Sequence, residues 1–507
     1  MKKIAILIMV ITIFSKILGF IRDIIISYFY GASNISDAYF VSMIVPGTVA
    51  GFIGIGISTG YIPIYNKIQS IEGAGIANKF TNNLISALFI IYSFIFFISF
   101  TFSKEIVGVF ASGFDHETLQ LSVQFTRITL VGMYIIGITH VIKGYLQIKG
   151  SYSIPELAIF PMNIITIISV FLSYHYSIAA LAYGRVLALV AQLLFMLSFA
   201  YKKGFKYIPT LSLKDKHLKS MLMIGLPIML GVSINQINVL VDKTLASQIA
   251  VGGITALTYS SRLNEFIQGI FVLSISTALY PLISKMAALN DMNGIKKYTS
   301  DAIISINILI VPVAIGSMVL AEPIVKMVYG RGAFDESAVL LTSQALFFYS
   351  IGMIGFGMRE IISRVFYSLQ NTKIPMINAS IGMMLNIILN IVLSHYLGIG
   401  GLALATSISA IFTSILLFFS LRKRIGAFGL KNILATLSKI IIASIIMGLA
   451  VREIYQLLSG EFHDGFALLF SITIGVFIYL VLIYFLKINE FKVFIKILIK
   501  KVFKKGL

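Results

Sequence analysis

Cysteine is missing altogether from this 507-residue chain, and charged residues make up only 12% of it. Without cysteine there is no disulfide, no thiolate metal site and no cysteine nucleophile. A soluble domain carries about 25% charged residues. With 58% hydrophobic residues and a mean hydropathy of +0.96, this composition is that of an integral membrane protein. The motifs of soluble enzymes are also lacking: there is no P-loop, dinucleotide fingerprint, His/Cys metal spacing or nucleophile elbow. Any transport must then be driven by an ion gradient, the membrane potential or a partner. Acids are scarce as well, 20 Asp and Glu against 40 Lys and Arg, leaving a net charge of +20. Lys and Arg collect in the cytoplasmic loops of membrane proteins, which accounts for the excess, and no nucleic-acid partner is expected.

What the chain does have is a series of long apolar runs. They are too long for barrel strands of about ten alternating residues, so the fold class is an all-α helical bundle. About fourteen runs are long enough to cross a bilayer: 4–30, 36–66, 80–103, 118–142, 153–174, 178–201, 218–248, 253–284, 300–321, 338–368, 375–397, 400–421, 433–451 and 465–486. With the N-terminus inside, alternate loops collect Lys67, Lys79, Lys143, Lys149, Lys202, Lys203, Lys285, Lys296 and Arg422–Arg424, whereas the others are rich in acids such as Glu105, Asp115, Glu322 and Asp335. The positive-inside rule thus predicts both termini in the cytoplasm. No cleavable signal peptide is expected, because the first run is too long for an h-region and contains a charged pair.

The two halves resemble each other. Ser153-Ile154-Pro155, Asn163-Ile164-Ile165 and Leu181-Ala182 recur as Lys373-Ile374-Pro375, Asn386-Ile387-Ile388 and Leu402-Ala403. Six spans per repeat give both copies the same orientation, an arrangement in which substrate sites lie at the repeat interface. The predicted division is an N-lobe at 1–201, a basic linker at 202–217, a C-lobe at 218–422 and two further helices at 423–486. A basic amphipathic tail at 487–507 would lie against anionic lipid or serve as a plain inside anchor.

Charges inside the spans are the candidate functional residues, since each costs about 2.5–3.5 kcal/mol at a helix centre on insertion scales. They are Lys16, Arg22 and Asp23 in the first span, Asp242 and Lys243 in the seventh, Arg262 in the eighth, and Arg359 and Arg364 in the tenth. The planar fork of Arg suits bidentate phosphate recognition. Structural neutralisation competes with that reading: Arg22 by Asp23 or Asp37, Arg262 by Glu265, and Arg364 by snorkelling. An oxygen-rich group, Asp242, Asn386, Asn390 and Thr406, suits a hard monovalent cation. Interhelical hydrogen bonds are the alternative, and Asp242 has Lys243 or Arg22 as candidate partners.

Together these residues resemble a known family. Phe14-Ser15-Lys16-Ile17-Leu18-Gly19-Phe20-Ile21-Arg22-Asp23, followed by Tyr30-Gly31-Ala32, Ser36-Asp37-Ala38-Tyr39-Phe40-Val41 and Pro46, is similar to the opening of the MurJ (MviN) lipid II flippases of the multidrug/oligosaccharidyl-lipid/polysaccharide exporter superfamily. Tyr259-Ser260-Ser261-Arg262-Leu263, Pro281-Leu282, Arg364–Leu369 and Thr372–Pro375 resemble later family motifs, so the likeness spans essentially the whole chain. It implies two six-helix lobes around a cationic cavity, with two extra helices forming a groove for a polyprenyl tail. Arg22, Asp23, Asp37, Arg262 and Arg364 carry over as cavity residues, with Lys16 where relatives often have Arg. The family's sodium site carries over to Asp242, Asn386, Asn390, Thr406 and the carbonyl of Leu402. Two departures stand out: Asn390 replaces an Asp of a sodium-binding relative, and Gly47–Gly56 lacks the Arg residues many relatives carry.

The expected function is that of a non-enzymatic, monomeric flippase in the bacterial cytoplasmic (inner) membrane. It would move lipid II by alternating access, driven by the membrane potential, a sodium gradient or both, with no cofactor other than that candidate sodium ion and with membrane lipids as its surroundings. Two other cargoes remain open: another polyprenyl-diphosphate oligosaccharide, or a drug exported in exchange for a cation. A membrane glycosyl- or acyltransferase would need catalytic carboxylates or His in the outer loops, and Asp115, His116, Glu117, His463 and Asp464 are poorly spaced for that.

Overall fold

The computed structural model describes residues 2–488, which form eighteen α-helices and, among those residues, no strand. In chain order they are α1 (Lys2–Tyr30), α2 (Asn34–Ser42), α3 (Ile44–Ile71), α4 (Ala74–Thr101), α5 (Ser103–Phe110), α6 (His116–Thr129), α7 (Gly132–Ile148), α8 (Ser153–Leu157) and α9 (Ile159–His175). Then come α10 (Ala180–Lys202), α11 (Lys216–Ile249), α12 (Gly253–Ala288), α13 (Met292–Val319), α14 (Ala321–Tyr329), α15 (Glu336–Ser368), α16 (Lys373–Ile425), α17 (Leu430–Ser459) and α18 (Asp464–Phe485). From residue 489 onward the predicted tail lies outside the described residues.

Every predicted apolar run falls on helix. The second covers α2 and α3, the fourth α6 and α7, and the fifth α8 and α9. The eleventh and twelfth are the two arms of α16, divided at Gly398, whose φ of 55° and ψ of −133° break the helical path. Among the described residues, nine helical segments are long and apolar enough to cross a membrane, or ten when α6 and α7, bent by 42°, count as one span. The chain is therefore a multi-pass helical membrane protein. The nine do not include α1, α11 and α12, the helices that carry Arg22, Asp242 and Arg262.

Two compact units divide the chain: Met1–Thr255 with Arg331–Asp335, and Ala256–Gly330 with Glu336–Leu507. Helix α11, on the far side of the basic linker, falls in the first. That unit's core lies between α3, α4 and α7, where Tyr61, Tyr65, Phe80, Tyr92 and Tyr145 are buried. Three of those phenols find partners, as a desolvated hydroxyl requires: Tyr61 with Thr81 Oγ1 (2.9 Å), Tyr65 with Asn78 Oδ1 (2.9 Å) and Tyr145 with the Lys203 carbonyl (3.2 Å). The linker is pinned by Asn83, which donates to the Ser212 carbonyl (2.9 Å) and accepts from its N–H (2.7 Å). Asp215 then caps α11 by accepting from His217 N (2.7 Å). The second unit buries Ile303, Ile306, Ile362, Val365, Phe366 and Ile440 between α13, α15 and α17, and Tyr479 of α18 donates to the Ile308 carbonyl at 2.7 Å. Outward-facing Phe94, Phe97, Phe477 and Phe485 are exposed, a surface that suits lipid and not water.

Residues Arg331–Asp335 come from between two second-unit helices but fold with the first unit. Ala333 N donates to the Tyr28 carbonyl at the end of α1 (2.8 Å), and Gly31 packs directly on the Ala333 carbonyl with φ +58°. A side chain at Gly31 meets both a left-handed backbone and that carbonyl. Gly31→Ala should therefore lower stability by about 1–3 kcal/mol, read as a several-degree drop in the Tm of the purified, detergent-solubilised protein. An unchanged Tm would show that the loop does not hold α1.

Candidate functional site

Arg22, on α1, has the best-defined contacts of the candidate charges. Its Nε and Nη2 donate to Oδ1 of Asp23 at 3.0 and 2.8 Å, and Nη1 donates to Oδ1 of Asn163 on α9 at 3.0 Å. The side chains are 16% and 5% exposed, so both charges are largely withdrawn from solvent but neutralise each other. A guanidinium has five N–H donors; three are engaged here, leaving two to meet an anion. Asn163 is buried, and its Nδ2, near Gly19, has no hydrogen-bond partner in the structure. Buried unsatisfied donors are rare and point to strain or an unfilled functional contact. Lys16 is exposed on α1 two turns before Asp23, and beside it Ser15 donates to the Glu156 carbonyl (3.1 Å) while Lys143 lies 3.6 Å from the Glu156 carboxylate. The pairing of Arg22 with Asp23 is thus present, and two of its donors stay uncommitted.

Asp37 sits elsewhere. It is 1% exposed, and its Oδ1 accepts from Thr255 N (2.8 Å) and Thr255 Oγ1 (2.6 Å), with Ser36 Oγ 3.1 Å from the same hydroxyl. It therefore caps the first turn of α12, where a carboxylate meets otherwise unpaired N–H groups. Lys243 supplies positive charge nearby and donates to the Ile254 carbonyl (3.4 Å). Asp242 accepts from Asn238 Nδ2 at 3.4 Å.

In the second unit, Arg262 is half-buried on α12, with exposed Glu265 three residues on. One turn earlier, buried Tyr259 stacks on Tyr329 at 4.7 Å. Arg364 donates through Nε and Nη2 to Glu360 Oε1, both at 2.8 Å, and lies 5.7 Å from the Tyr280 ring. Glu360 thus pairs with Arg364, whereas the neighbouring Arg359 lies over Phe356. Asn390 Nδ2 donates to Asn386 Oδ1 (3.0 Å), Asn386 Nδ2 to Thr406 Oγ1 (3.3 Å), and Thr406 Oγ1 to the Leu402 carbonyl (3.0 Å). These four expected cation ligands form one chain of neutral groups, in which the Leu402 and Asn386 oxygens already accept hydrogen bonds. Among the described residues no cluster of three or more His, Asp or Glu side chains could hold a metal ion.

The family model for "Lipid II flippase MurJ" matches residues 26–503. The chain belongs to the MurJ family. A probable lipid II flippase MurJ from Buchnera aphidicola (subspecies Baizongia pistaciae) is 30% identical over 447 residues, 86% of each chain. A solved structure of lipid II flippase MurJ in an inward closed conformation aligns with a TM-score of 0.81 at 30% identity, covering 94% of this chain and 98% of that one. An inward-facing MATE transporter of the MOP superfamily aligns at 0.69 with 18% identity, covering 84% and 98%, and shares the fold. The MurJ resemblance is borne out over residues 26–503, a match that begins after the Phe14–Asp23 part of the opening motif.

Asn163 was missed as a site residue. Its signal was present, because Asn163-Ile164-Ile165 anchors the internal repeat, but a neutral Asn carries no charge to flag it. Asn163→Ala removes the acceptor on Arg22 Nη1. It should leave folding within about 1 kcal/mol yet reduce transport by about tenfold through misplacement of the guanidinium; full transport at normal expression would remove Asn163 from the site. Asp37→Ala should act oppositely, costing about 1–3 kcal/mol by stranding Thr255 donors, measured as a fall in Tm.

Proposed function

We propose that this chain carries lipid II from the inner to the outer leaflet of the bacterial cytoplasmic membrane. The observation that carries the reading is Arg22: a guanidinium inside the first membrane helix, oriented by Asp23 and Asn163 and keeping two N–H donors for a diphosphate oxygen. Membership of the lipid II flippase family gives that anion its identity. Lys16 in the first unit and Arg262 and Arg364 in the second are the further cations we assign to the cargo's path, with Asp23 and Asp37 as its acids. The chain works as a monomer with fourteen spans and both termini inside. Two six-helix lobes alternate access, and the last two helices take the polyprenyl tail. No bond is made or broken, so the step is one of binding and conformational change. The basic composition of the path favours this cargo over a cationic drug.

The drive we assign first is the membrane potential. Moving one charge through 100 mV is worth about 2.3 kcal/mol, ample to reset an emptied basic site. A sodium ion at Asp242, Asn386, Asn390, Leu402 and Thr406 is the second candidate, weakened because Asn390 brings no charge.

The test is rescue of a bacterium depleted of its own lipid II flippase, scored by exposure of lipid II at the outer leaflet. The wild type should rescue, and well-expressed Arg22→Ala and Arg262→Ala should not. Rescue by both variants would refute the site, and failure of a membrane-inserted wild type would refute the cargo. In the same cells, collapsing the potential should halt exposure, while replacing sodium with choline should leave it intact. The reverse pattern would assign the drive to sodium.

A further inference from the structure

A charged cavity lies in the second unit, away from the residues discussed so far. It has a volume of about 460 Å³ and is lined by Ile374, Ile377 and Asn378 from the start of α16 and by Ser420, Lys423 and Arg424 from its end. The break at Gly398 folds α16 back so that its two ends meet here. Asn378, largely buried, donates to Ser420 Oγ at 3.0 Å and forms a polar floor. Lys423 and Arg424 are exposed on the rim, and neither has a carboxylate partner among the described residues. No acidic residue occurs in sequence between Glu360 and Glu453. Lys373 and Arg422 flank the same helix ends. Two unpaired cations, an amide and a hydroxyl around one cavity are the ingredients of a phosphate site.

The wall below the cavity identifies the source of that phosphate. Ile377, Ile381, Met384, Ile388 and Ile391 are all exposed and follow each other at spacings of four and three, a single stripe along the first arm of α16. The stripe starts in the cavity and runs down the membrane-facing helix. A soluble phosphate would use the cations alone; an amphiphile uses both. We propose that this cavity binds the headgroup phosphate of an anionic phospholipid, with an acyl chain lying along the Ile377–Ile391 stripe. Basic pockets between helices on the side of the basic loops serve that chemistry. The site is separate from the flipped cargo and independent of the transport reading: it would anchor the hairpin of α16 at the membrane surface.

The absence of tryptophan from the chain provides a clean probe. Ile381→Trp, at an exposed position of the stripe, gives a single fluorophore in the full-length protein. In nanodiscs of phosphatidylcholine, phosphatidylglycerol with brominated acyl chains should quench it at about fivefold lower mole fraction than brominated phosphatidylcholine. Adding Lys423→Gln and Arg424→Gln should erase that preference while leaving quenching by the zwitterionic lipid unchanged, which reports an intact fold. Lys202→Gln with Lys203→Gln, which lowers the net charge equally, should preserve the preference. Equal quenching by the two lipids, or equal loss in both double variants, overturns the proposal. Suppression of the preference by millimolar inorganic phosphate would assign the cavity to a soluble anion and overturn the lipid assignment.

Discussion

The cost of a charge in hydrocarbon organises this molecule. An isolated Arg at the centre of a membrane helix is disfavoured by a few kcal/mol at least, and Arg22 is tolerated because Asp23 and Asn163 share its guanidinium. The pairing is incomplete by construction. Both contacts to Asp23 converge on one oxygen, Oδ1, and Asn163 takes a single N–H. A fully satisfied ion pair would be inert, and an unpaired Arg would resist insertion. Partial satisfaction leaves a paired guanidinium with two N–H donors uncommitted, the property that the proposed anion contact requires. Arg364 follows the same rule at a more exposed position, with both of its contacts on Glu360 Oε1.

Asp23 and Asp37 consequently have different tasks, although the family resemblance made both cavity residues. Asp23 compensates a cation. Asp37 satisfies the N–H and hydroxyl of Thr255 at a helix start. A charge in a membrane protein can therefore serve a ligand, another charge or a backbone terminus, and only its neighbours distinguish the three.

That distinction marks what could be read in advance. Helix positions were legible because apolar runs and polar breaks are dictated by the bilayer, and the predicted boundary between 397 and 400 fell on the break at Gly398. Arg22 with Asp23 was legible as a pair because they are adjacent in sequence. Asn163 and Thr255 were not identified as partners, lying 141 and 218 residues from Arg22 and Asp37; separations of that size are set by tertiary packing. The repeat was seen through Pro155 and Pro375, but a second copy went unread: Gly113-Phe114-Asp115 and Ala333-Phe334-Asp335, each after a short helix, α5 or α14. Short amphipathic helices between long spans blend into the apolar runs before them, which hid the correspondence.

Those paired loops show how the repeat is used within the first unit. Gly113 N donates to Ser247 Oγ at the end of α11 (3.1 Å), and Ala333 N donates to the Tyr28 carbonyl at the end of α1 (2.8 Å). In both, a loop preceding a long helix is hydrogen-bonded to the C-terminal end of the first helix of the opposite half-sequence. Each contact rests on a few backbone and hydroxyl hydrogen bonds between groups that water can also satisfy, each worth about 1 kcal/mol net. The tyrosine-lined core of the same unit is instead held by large buried side chains. The alternating access proposed above calls for contacts of the first kind set against a body of the second, and the repeat supplies two such contacts from one loop design.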